Sequence, residues 1–435
     1  MDLAIQTGLI IFLSLPILLM IGVPISISIG FSSALSMMLV LPIEGSLITS
    51  AQRLFIGTNS FSLIAIPFFI LAGNIMNNGG IAIRLINCAK LIGGKLPAPL
   101  AQSNVVANML FGAISGSGVA AAAAVGGTIA PIEKAEGYSP EFSSAVNIAS
   151  APTGMLIPPS NTLIVYSTVA GSVSISALFI AGYIPGILWG LGVMTIAAIM
   201  AKKENYIKNP NITLKDAMKT ILDAIPSLLL VIIVIGGILK GVFTATEGSA
   251  IAVVYSLILS FIYRQLKVTD LPKILLSSAQ MTSIVIFMIG VSSIMSWIMA
   301  FTNIPQKIAA ALLGVTDSFV VILLIMNLLM LIIGTFMDPT PAVLIFTPIF
   351  LPIVQNFGMN IVQFGIMIVF NLCIGTITPP VGPILFTGCK VGGVTIEQVF
   401  KKLLPFYLVT AIILLLVTFI PSLSLALPKF FGLIK

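Results

Sequence analysis

The sequence predicts an all-α polytopic membrane protein built from two inverted structural repeats, each with a re-entrant helical hairpin and a broken helix. Three observations predict it. The 435 residues are 58% hydrophobic and 8% charged, whereas a soluble domain carries about 25% charged residues. The apolar runs are long and continuous, which suits helices and excludes the short alternating strands of a β-barrel. The chain also matches itself when displaced by about half its length. Twenty basic and 13 acidic side chains cannot clothe a soluble surface of this size, so a soluble enzyme, a disordered chain and a nucleic-acid binder are all excluded. The net charge of +7 reads as basic residues flanking spans in membrane lipid, with no nucleic-acid partner.

A span needs about 20 apolar residues, and full-length candidates lie at 3–22, 24–42, 61–77, 179–200, 218–239, 243–263, 276–300 and 403–422. The N-terminus lacks a basic stretch and its apolar run continues to about Val23, so it reads as a first span rather than a cleaved signal. Segments 80–95 and 303–315 mix a few polar residues with apolar ones and read as interfacial helices bracing the hairpins. Segments 98–171 and 318–393 are apolar but broken by closely spaced Gly, Pro, Ser, Thr and Asn. The most polar stretch, 201–219, divides the chain, so the predicted organisation is a first repeat (1–200), a linker (201–217) and a second repeat (218–435).

The repeat shows at a shift of 221 residues. Gly154-Met-Leu-Ile-Pro-Pro159 overlays Gly375-Thr-Ile-Thr-Pro-Pro380, and residues 154–176 carry six identities in 23 positions. Pro131-Ile132 meets Pro352-Ile353, and Ser117 meets Asp338. With an odd number of crossings in each half, the halves are inverted. Placing the linker inside puts 15 of the 20 basic residues inside, five of them lysines between 202 and 219, and leaves Arg53, Lys240, Lys307, Lys429 and Lys435 outside. The positive-inside rule selects this orientation, with both termini outside.

Histidine is absent, which removes imidazole metal sites, Ser-His triads and His relays, and Cys88, Cys373 and Cys389 have no metal-ligand spacing. What chemistry remains sits at the irregular segments. Gly112-Ala-Ile-Ser-Gly-Ser-Gly118 could be packing glue for close helices. Three glycines and two serines in seven positions instead favour a hairpin over 98–131 with its tip at Ser115-Gly116-Ser117. Its mate is Gly334-Thr-Phe-Met-Asp-Pro-Thr-Pro341 in a second hairpin over about 318–353. Asp338 before Pro339 is a favoured helix start, but an acid at membrane depth also needs a partner. The two Pro-Pro breaks remove backbone donors and free upstream carbonyls. Such breaks at matching points of inverted halves point to a transporter binding site.

Each half thus supplies a hairpin tip and a broken helix, and each pair makes an oxygen-lined pocket. The first pocket would use Ser115, Ser117, Gly154, Ile157 and Pro159. The second would use Phe336, Asp338, Gly375, Thr378 and Pro380. Carbonyls and hydroxyls suit a hard monovalent cation such as Na⁺. Half-helix N-termini beside them suit a carboxylate substrate, with Ser117, Asn161, Thr162 and Asp338 positioned to touch it. Glu247 reads as a boundary cap, and Arg53 as an interfacial anchor.

The two hairpins, the central linker, Ser115-Gly-Ser-Gly118, Met337-Asp-Pro-Thr340 and the paired Gly-x-x-x-Pro-Pro breaks together resemble the large membrane subunit of TRAP transporters, the tripartite ATP-independent periplasmic systems. The resemblance covers essentially the whole chain and looks closest to the sialic-acid branch. It implies a Na⁺-driven importer of an organic acid (sialic acid or a C4-dicarboxylate-like carboxylate) in a bacterial inner membrane, not an enzyme. It implies two or more Na⁺ sites, matching the two pockets, and an elevator motion of the hairpin-bearing part against a scaffold. It implies two partners: a small four-helix membrane subunit, either separate or fused in the native gene, and a periplasmic substrate-binding protein. The rival reading is a stand-alone divalent-anion:Na⁺ symporter, which shares hairpins and inverted repeats but works without a binding protein.

Overall fold

The computed structural model describes residues 2–94, 96–171, 173–204, 206, 214–316 and 318–434. The linker positions 205 and 207–213 lie outside the described residues, as do Lys95, Lys208 and Lys435. The described chain is all helical, with no strand among the described residues.

The first half runs α1 (Leu3–Met20), α2 (Ile25–Met37), α3 (Ile43–Thr58), a 3₁₀ turn, α4 (Ala65–Asn78), α5 (Ile81–Gly93), α6 (Pro99–Ser115), α7 (Gly118–Ala135), α8 (Pro140–Ser150), α9 (Thr153–Leu156), α10 (Asn161–Val169) and α11 (Ile175–Glu204). The second runs α12 (Leu214–Leu239), α13 (Ala245–Ile262), a second 3₁₀ turn, α14 (Leu271–Phe301), α15 (Ile304–Val315), α16 (Phe319–Gly334), α17 (Pro339–Asn356), α18 (Ile361–Gly375), α19 (Pro383–Gly392), α20 (Ile396–Phe419) and α21 (Ser422–Phe430). Among the described residues, eight helical stretches are long and apolar enough to cross a membrane.

Local chemistry sets the ends of these helices. Asp2 caps α1, and its carboxylate lies 2.6 Å from Lys307 Nζ, which ties α1 to α15 and, with the Ala4 N–H, holds the Asp2 carboxyl below its ordinary pKa. Thr244 and Glu247 form a capping box at the start of α13, as the boundary reading of Glu247 expected. The span expected at 24–42 is not a single full-length helix. Pro24 and Pro42 fence off α2, only 13 residues long, and Pro42 stands at the N-cap of α3, a helix the hydropathy pattern did not reveal. The expected linker is also invaded from both ends, because α11 continues to Glu204 and α12 starts at Leu214.

The helix order of the first half returns in the second: an amphipathic helix (α5, α15), two helices joined by a short turn (α6–α7, α16–α17), a helix interrupted at Pro-Pro, and a long helix (α11, α20). The interrupted helices differ in one respect. Pro152 separates α8 from α9, where α18 runs unbroken.

Packing sorts the helices into two groups. In one, α4 packs on α13, α2 and α3 on α14, and α12 on α13 and α5. In the other, α11 touches α6, α8, α9, α18 and α20, and the second helix pair joins through α18 and α10. The second group is knitted across the halves by buried aromatics. The Trp189 indole donates to Ala149 O at 2.8 Å and packs 4.6 Å from the Phe370 ring, and Tyr166 Oη donates to Ile361 O at 2.7 Å. Contacts of α5 with α6 and of α14 with α17 join the groups.

Candidate transport site

The turn between α6 and α7 is made by Gly116 at φ +62°, a left-handed conformation that favours glycine. Ser117 then caps α7, its hydroxyl accepting from Ala120 N–H at 3.3 Å, while Ser115 Oγ donates to Ser117 O at 3.3 Å. The matching turn after α16 ends at Asp338, which caps α17 by accepting from Thr340 N–H at 3.2 Å. Ser117 and Asp338, paired by the sequence repeat, therefore occupy the same N-cap position of the second helix in each pair. Ser115 and Ser117 are half-buried, and Asp338 and Phe336 are exposed.

Each turn helix touches the helix that leads into a break, backbone on backbone. A Cβ at Gly154 would stand 2.1 Å from Gly112 Cα, and one at Gly375 would stand 2.4 Å from the Gly334 carbonyl carbon. Only a hydrogen fits at either place. The first break spans 157–160, and α10 restarts at Asn161 with Ser160 as its cap. A Cβ at Gly116 would meet Asn161 Nδ2 at 2.9 Å, so the tip backs onto the restart. The second break spans 376–382 and is tied to its turn directly, Gly382 N–H donating to Thr335 O at 3.0 Å. The Pro158-Pro159 and Pro379-Pro380 peptide bonds are both cis.

The carbonyls expected to be freed by the prolines are partly claimed inside the protein. Met155 O accepts from Ser160 Oγ at 2.5 Å, Gly375 O from Thr378 N–H at 3.0 Å, and Thr376 O from Ile384 N–H at 3.1 Å. Tyr407 Oη donates to Ile377 O at 2.6 Å, and Thr378 Oγ1 donates to Ile374 O at 2.7 Å. A carbonyl has two lone pairs, so one hydrogen bond fixes its direction and leaves a second acceptor site.

The two sites adjoin. A Cβ at Gly118 would stand 2.3 Å from Ile384 Cδ1 and 3.0 Å from Met155 Sδ, and Cys373 Sγ lies 4.0 Å from Met155 Sδ. The structure thus gathers Ser115, Ser117, Gly154 and Asn161 at one turn-and-break, and Asp338, Gly375 and Thr378 at the other. Ile157 is buried, with α11 accommodating it at Gly186, and Pro380 is exposed. Thr162 is buried at 1% exposure, one helical step from half-buried Asn161. Pro159 also lines an apolar cavity with Phe69, Leu230 and Val234, where the first break meets the other helix group.

Sequence reasoning missed the amide clasps behind the turns. Asn108 on α6 donates to Asn147 Oδ1 at 3.0 Å and to Ser150 Oγ at 2.8 Å on α8. Asn371 on α18 donates to Asn327 Oδ1 on α16 at 2.7 Å. Ser150 and Asn371 fall at the 221-residue register. The signal available was asparagine recurring in apolar helices, where an unpaired amide is costly.

The profile of the tripartite ATP-independent periplasmic transporter family, DctM component, matches residues 12–423. The chain belongs to that family. It is thus a TRAP large permease subunit, a multi-pass inner-membrane protein and not an enzyme. YgiK of Salmonella typhimurium is 52% identical over 98% of both chains. The C4-dicarboxylate TRAP large permease of Pseudomonas aeruginosa is 38% identical, over 93% of this chain and 95% of its own. The sialic acid TRAP large permease of Vibrio cholerae is 34% identical, over 95% and 96%. Similarity to permeases of both kinds places the chain in the family without assigning it to the sialic-acid branch. Among solved structures, the YdaH transporter of Alcanivorax borkumensis shares the fold with a TM-score of 0.62 at 15% identity, covering 88% of this chain and 90% of that one.

Proposed function

We propose that this TRAP permease subunit imports an organic acid by Na⁺ symport, receiving it from a periplasmic binding protein and working beside a small four-helix membrane subunit. The observation that carries the reading is the doubled turn-and-break, in which a helix cap and directed carbonyls meet twice in the same arrangement. In this reading each unit holds one Na⁺, the first at Ser115, Ser117 and the carbonyls of Gly154, Ile157 and Pro159. The second lies at Asp338, Thr378 and the carbonyls of Phe336, Gly375 and Pro380. The cargo carboxylate sits between them, near Asn161, at the N-terminal end of α10. Cargoes named for relatives include C4-dicarboxylates and sialic acid, so the class proposed is a small carboxylate anion.

The motion proposed is an elevator. It is supported by the sorting of helices into two groups, one bearing both turns and both breaks and the other enclosing α4, α13 and α14. The repeat order supports inverted halves, and the basic residues support an inner linker and outer termini. The test is uptake into proteoliposomes holding the chain with its small subunit. Carboxylate uptake is expected only with outside Na⁺ and added binding protein. Equal uptake with K⁺ refutes the coupling, and full uptake without the binding protein supports the stand-alone symporter instead.

A further inference from the structure

Away from both turns, α5 and the start of α12 form a pocket of about 230 Å³ lined by Arg84, Asn87, Lys219, Thr220 and Asp223. Arg84 is held in place rather than dangling. Its guanidinium carbon lies 3.4 Å from the Tyr263 ring centroid, Nη1 donates to Gly80 O at 2.9 Å, and Nε stands 3.6 Å from Asp223 Oδ2. The Arg84 side chain is only 18% exposed. Two cations face one carboxylate, which leaves the lining net positive. Lys215 sits one turn before Lys219, and Arg264 follows Tyr263.

An exposed apolar strip runs along α12 on the flank beside Lys219. Met218, Leu222, Ile225 and Leu229 follow one another at helical spacing and are 55%, 60%, 39% and 41% exposed. We infer that the pocket binds the phosphate of an anionic phospholipid, whose acyl chains lie along that strip. A guanidinium fork matches a phosphate oxygen pair, and a fork already fixed by its neighbours loses little freedom on binding. Basic pockets between spans at the inner leaflet are suited to such headgroups. The strip favours a lipid over an acidic protein segment, because a peptide would leave it uncovered. A lipid bound here braces α12 against α5, the helix that carries contact with α6 of the other group.

The test is thermal unfolding of the full-length, delipidated permease in neutral detergent. Cardiolipin or phosphatidylglycerol is expected to raise the midpoint, and phosphatidylcholine to leave it unchanged. Exposed Lys219 can be replaced without disturbing the fold, and Lys219→Gln is expected to raise the half-effective lipid concentration about fivefold. Lys240→Gln, at the far end of α12, is the matched control. A Lys219→Gln response equal to wild type overturns the inference. The same full shift with inorganic phosphate alone overturns it in favour of a simple anion site. Loss of a co-purifying subunit from Lys219→Gln with the lipid response intact overturns it in favour of a protein contact.

Discussion

Asp338 has one observed role and one proposed role, and a well-chosen substitution separates them. It caps α17, and in the proposed mechanism it ligates a cation. Asparagine caps a helix as well as aspartate does, whereas alanine loses about 1 kcal/mol of capping. Asp338→Asn is therefore expected to reach the membrane and unfold at the wild-type temperature while its Na⁺-driven uptake falls tenfold or more. Asp338→Ala is expected to lose both uptake and a few degrees of stability. Uptake by Asp338→Asn at the wild-type rate and Na⁺ dependence would reduce Asp338 to a cap. At this scale the sequence was readable wherever a residue acts on its near neighbours. The Thr244–Glu247 box is such a local motif, its two residues three positions apart. Asn108 and Asn371 were not readable, because their partners are 39 to 44 residues away and only the folded chain brings them together.

Between elements, the decisive contact in each half is a pair of glycines. A methyl at Gly154 collides with the Gly112 backbone, and one at Gly375 with the Gly334 backbone, and no side-chain rotation relieves either clash. Such overpacking costs about 1–3 kcal/mol. Gly154→Ala and Gly375→Ala are expected to lower the unfolding temperature and cut uptake at least tenfold, since the cap and the break then separate. Gly127, within α7, has open space around its would-be Cβ. Gly127→Ala is expected to be neutral or slightly stabilising, as about 0.5–1 kcal/mol favours alanine inside a helix. Wild-type uptake by Gly154→Ala would show that the turn-and-break contact is dispensable. The hairpin turns and breaks were readable because Gly, Pro and helix-capping residues act within a few positions. Helix α3 was not, since Glu44, Gln52 and Arg53 lower its hydropathy and only its packing on α14 gives it a place.

For the whole molecule, the two-group packing and the paired units bear on energetics. If both units load Na⁺ with one monovalent carboxylate, each cycle carries at least one net positive charge inward. That charge gains about 2.3 kcal/mol per 100 mV of inside-negative potential, or close to fiftyfold in the attainable cargo gradient. A potassium diffusion potential imposed with valinomycin on proteoliposomes is therefore expected to raise initial uptake when the lumen is negative and depress it when positive, at fixed Na⁺ gradient. A single cation per monoanion is electroneutral and predicts no response to either polarity. Disabling one unit sharpens the comparison. Ser117→Ala removes a hydroxyl from the first site while the second keeps its carboxylate. Uptake that survives in Ser117→Ala should lose its dependence on potential if the lost cation is the one that left a net charge. Voltage dependence unchanged in both Ser117→Ala and Asp338→Asn would mean that neither unit holds the coupling ion, leaving the doubled architecture to serve the cargo and the motion alone.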